Sequence, residues 1–208
     1  MKIRDLYAAL CSLYGRPLRV DIEHFLVMAA PAETGIAVGN RLPEREALFI
    51  RSSDEGIELG LYLAPEIVAA LEFHDPLDRL EAFACAAEGV SHFLYVVDRV
   101  EEGRSVSQLE LELQGEVDKF LLLHLFAAGR RGEIGPELFQ RQFERHGFDP
   151  RLSPAELERY ESASHFAAKY CATLLARCFN PLRRSELAAR ARQFFACGLR
   201  DKLALVTP

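Results

Sequence analysis

The stretch from residue 77 to residue 126 most constrains the fold, because it predicts two long consecutive helices. Apolar residues recur every three or four positions in both halves, which is the period of one helix face. Residues 101–103 separate the halves, and Ser107 with Glu110 has the capping-box spacing that starts a second helix. A short link between two long helices predicts an antiparallel helical hairpin on which the rest of the chain packs.

The clearest β pattern precedes this helical hairpin. Residues 47–50 form a compact apolar run, and apolar residues alternate with others from Ile57 to Leu63, with turn-forming residues 52–56 between the two runs. This pattern predicts a β-hairpin with one buried face. We therefore predict an α+β, mostly helical fold in one compact unit. A small N-terminal α/β part (1–75) with the β-hairpin precedes an antiparallel bundle of five to six helices (76–208).

Composition favours a soluble protein. Hydrophobic residues make up 50% of the chain and charged residues 27%, and no apolar run approaches the roughly 18 residues of a membrane helix. No signal-peptide pattern is present, so we expect a cytoplasmic location. The five cysteines form no CxxC pair, which favours reduced thiols that pack as small apolar residues. The excess of 21 arginines over 4 lysines is typical of GC-rich bacterial genomes.

Charge is distributed unevenly along the chain. Residues 1–128 carry 22 acidic and 11 basic side chains, whereas residues 129–208 carry 14 basic and 9 acidic ones. The two halves could attract each other within the fold or across a homo-oligomer, or the basic end could bind an anionic partner. Such an anionic-partner surface would consist of Arg183, Arg184, Arg190, Arg192, Arg200 and Lys202. Nucleic acid is one candidate partner for it, and an acidic protein is another.

The pattern Glu-x-x-Ser-His-Phe occurs twice, each time inside a predicted long helix. A Glu and a His four residues apart lie on one helix face and can both reach one metal ion. Two such pairs on neighbouring helices predict a four-ligand divalent metal site of Glu88, His92, Glu161 and His165. Helical periodicity favours a different interpretation, because it places both pairs opposite the apolar stripes of their helices. They would then be solvated surface pairs that support the helix only weakly.

His124 follows a different pattern, since it shares a helix face with apolar residues of the second long helix. A buried imidazole needs partners for both ring nitrogens. We therefore consider two roles for it. It could be a hydrogen-bonded core residue or a functional histidine near Glu112 or Glu116.

The chain contains no nucleophile elbow, phosphate-binding glycine loop, dinucleotide fingerprint or HExxH pattern. With dense helical packing signals and opposite charge in the two halves, this favours a non-enzymatic protein-interaction or regulatory module that binds a protein partner or self-associates. No cofactor is expected on that hypothesis. The alternatives are a metal-dependent enzyme with the Glu/His site, and a nucleic-acid binder or nuclease that uses the basic C-terminal surface.

Overall fold

The computed structural model describes residues 1–27, 36–37, 45–54, 56–73, 79–131, 135–144, 147–178 and 184–206. These ranges are mostly helical and include one small sheet, so the predicted α+β class is confirmed. The helices are α1 (Ile3–Tyr14), α2 (Pro65–Phe73), α3 (Leu80–Glu101), α4 (Gln108–Arg131), α5 (Gly135–Phe139), α6 (Pro154–Cys178), α7 (Arg184–Ala196) and α8 (Leu199–Val206). The strands are β1 (Leu26–Val27), β2 (Ile36–Ala37), β3 (Glu46–Ser53) and β4 (Gly56–Leu63). The predicted boundary at residues 75–76 lies outside the described residues.

Helices α3 and α4 pack antiparallel, as the two long periodic stretches predict. Late residues of α3 contact early residues of α4: the Tyr95 hydroxyl donates to Glu110 Oε1 over 2.5 Å. Earlier in α3, the Ser91 hydroxyl donates to Asp118 Oδ2 over 2.6 Å. Ser107 accepts a hydrogen bond from the backbone N–H of Glu110, which caps the first turn of α4.

The sheet has the strand order β1-β4-β3-β2, and β3 pairs antiparallel with β4 from Glu46↔Leu63 to Ser53↔Gly56. These two strands contain the predicted apolar runs; β3 is four residues longer than its run, and β4 is one residue longer. Their ends nearest α2 are buried, whereas their ends nearest residues 54–56 are exposed. The buried ends of β3 and β4 pack on α3. The sheet therefore covers a face of α3 that periodicity alone assigns to solvent.

Helix α3 is the core helix of the fold. Its Phe93 packs against Tyr7 of α1 and against Phe25, and its Phe83 packs against Phe126 of α4. The expectation that no apolar run approaches the length of a membrane helix is wrong for α3, which among the described residues is the helix long and apolar enough to span a membrane. Within the fold 67% of that apolar segment is buried, as in a core helix.

The C-terminal region of the described chain consists of two consecutive helices. The chain forms α7 up to Ala196, breaks at residues 197–198 and resumes as α8. Lys202 of α8 is fully buried. The break allows α8 to turn this side chain into the bundle, where it contacts α4 and α7.

Candidate metal centre

Four acidic residues and one histidine meet where the start of β3 packs on α3, next to α4. Glu88 and His92 are one turn apart on α3, Glu112 and Glu116 lie on α4, and Glu46 begins β3. Two glycines allow this close approach. A Cβ at Gly115 would lie 3.0 Å from His92 Nε2, and a Cβ at Gly89 would lie 2.9 Å from Cγ of Glu46.

The prediction that the Glu88–His92 face is solvated is wrong. His92 is only 5% exposed, and Arg99, two turns further along the same predicted outer face, is 0% exposed. Periodicity identifies the apolar stripe of a helix, but it does not show whether a second layer covers the polar side. Here β3 covers His92, and the backbone carbonyls of Phe195 and Cys197 accept hydrogen bonds from Arg99. These carbonyls compensate the buried guanidinium of Arg99, whereas His92 is compensated only on its Nδ1 side, by the charge of Glu46.

Glu88, His92 and Glu112 form a compact group of potential metal ligands. One donor atom from each residue lies within 4.8 Å of the others. His92 Nε2 lies 3.7 Å from Oε2 of Glu112, too far for a hydrogen bond, and this buried nitrogen has no hydrogen-bond partner. The other ring nitrogen, Nδ1, lies 3.5 Å from Oε1 of Glu46. The imidazole is thus held between two carboxylates, with Nε2 directed at the one on α4.

Two cationic side chains border this group. Lys119 Nζ contacts Oε2 of Glu88 at 3.0 Å and Oε1 of Glu116 at 2.7 Å. Arg159 of α6 is more distant, with Nε 4.0 Å from Oε1 of Glu112 and without a hydrogen bond. The group thus contains four carboxylates and two side chains that carry permanent positive charge. When His92 is neutral and all four carboxylates are ionised, positive charge falls short of negative charge by two.

The protonation of the group reflects this excess of negative charge. Burial acts to lower the pKa of His92, but the Glu46 carboxylate, together with Glu112 and Glu88, outweighs it and raises the pKa to about 9. Burial raises the pKa of Glu112 to about 7. Burial also acts to raise the pKa of Glu88, but the charges of Lys119 and His92 hold that pKa below its usual value. In the metal-free protein, protons on His92 and Glu112 therefore reduce the charge deficit.

The second Glu–His pair does not join the first. Glu161 and His165 are exposed on α6, and the His165 ring contacts that of its neighbour Phe166, with the ring centroids 5.6 Å apart. The structure therefore does not bring the four predicted ligands together, and it places Glu112 beside Glu88 and His92 instead. The predicted helical hairpin of α3 and α4 contains the information that would have identified Glu112. Antiparallel pairing across residues 102–107 brings the end of α3 opposite the start of α4.

His124 lies on α4 and is half-buried rather than fully buried. Twelve residues separate it from Glu112, which corresponds to about 18 Å along a helix axis. It is therefore not part of the group around His92. The predicted proximity of His124 to Glu112 is wrong for this reason, and so is its proximity to Glu116, which lies about 12 Å away along the same helix axis. A functional role for His124 stays a prediction.

Only some of the described residues of the predicted basic C-terminal surface are exposed. Arg183 and the side chain of Arg184 lie outside the described residues. Arg190 pairs with Glu186 at 3.2 Å, and Arg192, although exposed, donates through Nε to the carbonyl oxygen of Leu13. Arg200 is exposed.

Lys202 does not belong to that surface, because its side chain is 0% exposed. Its ammonium donates to Oε1 of Gln114 and to the carbonyl oxygen of Phe194, and it lies 4.3 Å from the centroid of the Phe194 ring. Gln114 connects it to Asp118, which also accepts hydrogen bonds from Ser91 and Tyr14. Burial lowers the pKa of Lys202 to about 7 and raises that of Asp118 to about 6. This second polar network joins α1, α3, α4 and α8.

Comparison of the chain with protein-family models, curated proteins and solved structures finds no significant match. The chemistry of the group around His92 is therefore the basis of the proposed function.

Proposed function

We propose that this protein binds one divalent first-row transition-metal ion through Glu88, His92 and Glu112, and that the ion serves a regulatory or structural role rather than turnover. The observation that carries the proposal is the position of His92. Its Nε2 is buried, lacks a hydrogen bond and lies 3.7 Å from Oε2 of Glu112 on α4, and Glu88 on α3 completes a group of donor atoms within 4.8 Å of one another. A buried nitrogen without a partner is costly, and a metal ion at this position removes that cost.

The spacing of the donor atoms supports a shared ion. Two ligand atoms that are each about 2.1 Å from a zinc ion lie about 3.4 Å apart at the tetrahedral angle. The 3.7 Å between His92 Nε2 and Glu112 Oε2 is close to this spacing, and small side-chain rotations suffice to reach it. Imidazole and carboxylate together suit zinc, manganese and iron(II).

The charge of the group supports a divalent ion. Four carboxylates face the centre, whereas Lys119 and Arg159 supply two permanent positive charges. With His92 neutral, an ion of charge +2 makes the group neutral. A buried group that is electrically balanced avoids the large penalty of uncompensated charge.

Glu46 lies behind the His92 ring, where a carboxylate supports a histidine that binds a metal ion through its other nitrogen. When the neutral imidazole binds an ion through Nε2, its proton is on Nδ1, which lies 3.5 Å from Oε1 of Glu46. A carboxylate behind a ligating histidine fixes the ring orientation and raises its basicity. The centre therefore takes ligands from two helices and support from the sheet.

Burial supports a binding role over catalysis. His92 is 5% exposed and Glu112 is 3% exposed, so substrate would have little access to an ion bound by them. This agrees with the regulatory module that the sequence favours. The expected protein partner or self-association stays a prediction.

Metal analysis of untagged protein purified without chelator tests this proposal, followed by calorimetric titration of the metal-free protein with Zn²⁺. We expect about one equivalent of ion per chain, and we expect His92→Gln or Glu88→Gln to weaken binding at least a hundredfold. The double variant Glu161→Gln/His165→Gln is the matched control, because it changes the same motif on the exposed face of α6. A wild-type protein that binds no Zn²⁺ refutes the proposal, and so does an equal loss in the control.

A further inference from the structure

Lys119 lies beside the proposed ion and shares a carboxylate with it. We propose that its ammonium group occupies the place of a second metal ion and so limits the centre to one ion, an inference that rests on the proposed function. Lys119 Nζ contacts Oε2 of Glu88 at 3.0 Å and Oε1 of Glu116 at 2.7 Å. Glu88 thus belongs both to the ligand group and to the ammonium site.

Carboxylate-rich sites in helical proteins commonly hold two ions about 3.5–4 Å apart, with a carboxylate shared between them. The arrangement around Glu88 resembles one half of such a site with a lysine in the other half. The Lys119 side chain is only 12% exposed, so its ammonium group is a fixed internal cation rather than a mobile surface charge. The group therefore has two adjacent cation positions, and the chain itself fills one of them.

Gln142 contacts Glu116, one of the two carboxylates that the Lys119 ammonium contacts. Its Nε2 donates to the carbonyl oxygen of Glu116 at 2.7 Å and to Oε2 of the same residue at 3.1 Å. Its Oε1 is buried without a hydrogen-bond partner. Rotation of this amide by half a turn would present an oxygen beside Glu116. Two carboxylates with an amide oxygen next to one of them suit a hard divalent cation once the ammonium is removed.

Charge also opposes a second ion while Lys119 is present. One divalent ion, Lys119 and Arg159 together balance the four carboxylates, so a second ion would leave two uncompensated positive charges in a mostly buried site. Replacement of Lys119 by a neutral residue removes one of these charges. A hydroxide bound to the ions would balance the remaining one.

The test compares the number of Zn²⁺ ions bound by wild-type protein and by Lys119→Ala, measured by calorimetry and by metal analysis after dialysis. We expect one ion in the wild type and two in the variant. Lys169→Ala on the exposed face of α6 is the control and keeps one ion. One ion in both proteins, or two in the wild type, overturns the inference without affecting the proposed function. A wild type without Zn²⁺ refutes the proposed function and the inference together.

A measurement on the wild-type protein decides the question if Lys119→Ala does not fold. The chain has four lysines, so ¹⁵N-lysine labelling gives a short, assignable set of ammonium signals. We expect the Lys119 ammonium to be visible and slowly exchanging with water, both before and after one equivalent of Zn²⁺. Loss of this signal when Zn²⁺ binds means that the ion displaces the ammonium, which overturns the inference.

Discussion

Gly115 of α4 lies against the imidazole of His92, so that a Cβ at this position would be 3.0 Å from Nε2. We expect Gly115→Ala to weaken Zn²⁺ binding at least tenfold, because the methyl group pushes the ring away from Glu112. Alanine also favours the helix by about 1 kcal/mol over glycine. This gain offsets the cost of displacing the His92 ring, so the free energy of unfolding of the metal-free protein should change little.

Zn²⁺ titration and urea unfolding of the same Gly115→Ala sample separate these two effects. Unchanged Zn²⁺ affinity would show that the ring does not need its observed position. A large loss of stability in chelator would instead show that the helices themselves move apart.

The second prediction concerns Glu46 as the support of His92. Glu46→Gln keeps the size of the side chain but removes the charge behind Nδ1. We expect Zn²⁺ affinity to fall about ten- to a hundredfold, the usual effect of losing a second-layer carboxylate. Glu58→Gln on β4 is the matched control, since that carboxylate is exposed and pairs with Arg51. Equal affinities of the two variants would rule out the support role.

The third prediction is the pH dependence of the metal-free protein. The folded pKa of His92 is raised to about 9, so its contribution to stability is fully present below pH 6.5 and is lost as the pH rises through 9. The difference in unfolding free energy between wild type and His92→Gln should therefore decrease over this range by up to about 3 kcal/mol. Urea unfolding in chelator at pH 6, 7.5 and 9 measures it. A difference that does not vary with pH would contradict the charged state of His92.

The fourth prediction has the opposite sign and concerns Lys202. Its folded pKa is lowered to about 7, so the unfolded chain binds more protons between pH 7 and 10.5, and stability due to this group rises with pH over that window. Lys202→Met keeps most of the apolar stem and should remove this rise. Zn²⁺ affinity should be unchanged, because Lys202 lies in the other polar network.

Unfolding of wild type and Lys202→Met at pH 7, 8.5 and 10 gives the difference due to Lys202 and its network, since titrating groups distant from it cancel. Parallel pH profiles for the two proteins would mean that Lys202 keeps its ordinary pKa despite its burial.

Sequence predicts the local elements of this protein well. The capping box of Ser153 and Glu156 is present at the start of α6, with the N–H of Glu156 donating to the Ser153 hydroxyl at 3.3 Å. Gly15 ends α1 in the left-handed conformation with φ of 65°, as a helix stop after Tyr14 requires. Such signals involve residues a few positions apart, so one chain segment contains all the information.

The candidate site is less predictable, because it depends on contacts between distant segments. Glu88 and His92 attract attention as a pair at helical spacing, but their burial is decided by β3, about 40 residues earlier. Lys202 is a similar case, since its α8 segment is short and its partner Gln114 lies 88 residues away. A charged side chain without its partners resembles a surface residue in any single segment. Only the complete fold shows whether such a side chain is buried with its partners or exposed at the surface.

Ser91 and His92 are adjacent on α3, yet they face different polar networks, one reaching Lys202 and the other Glu112. Apolar surfaces tolerate small slides of one helix along another, whereas two polar contacts in different directions do not. We expect variants that lose both contacts to keep their helix content and to lose sharp side-chain NMR signals. The polar residues around α3 would then determine that the protein has a single packing arrangement, whereas its apolar residues determine that it is compact.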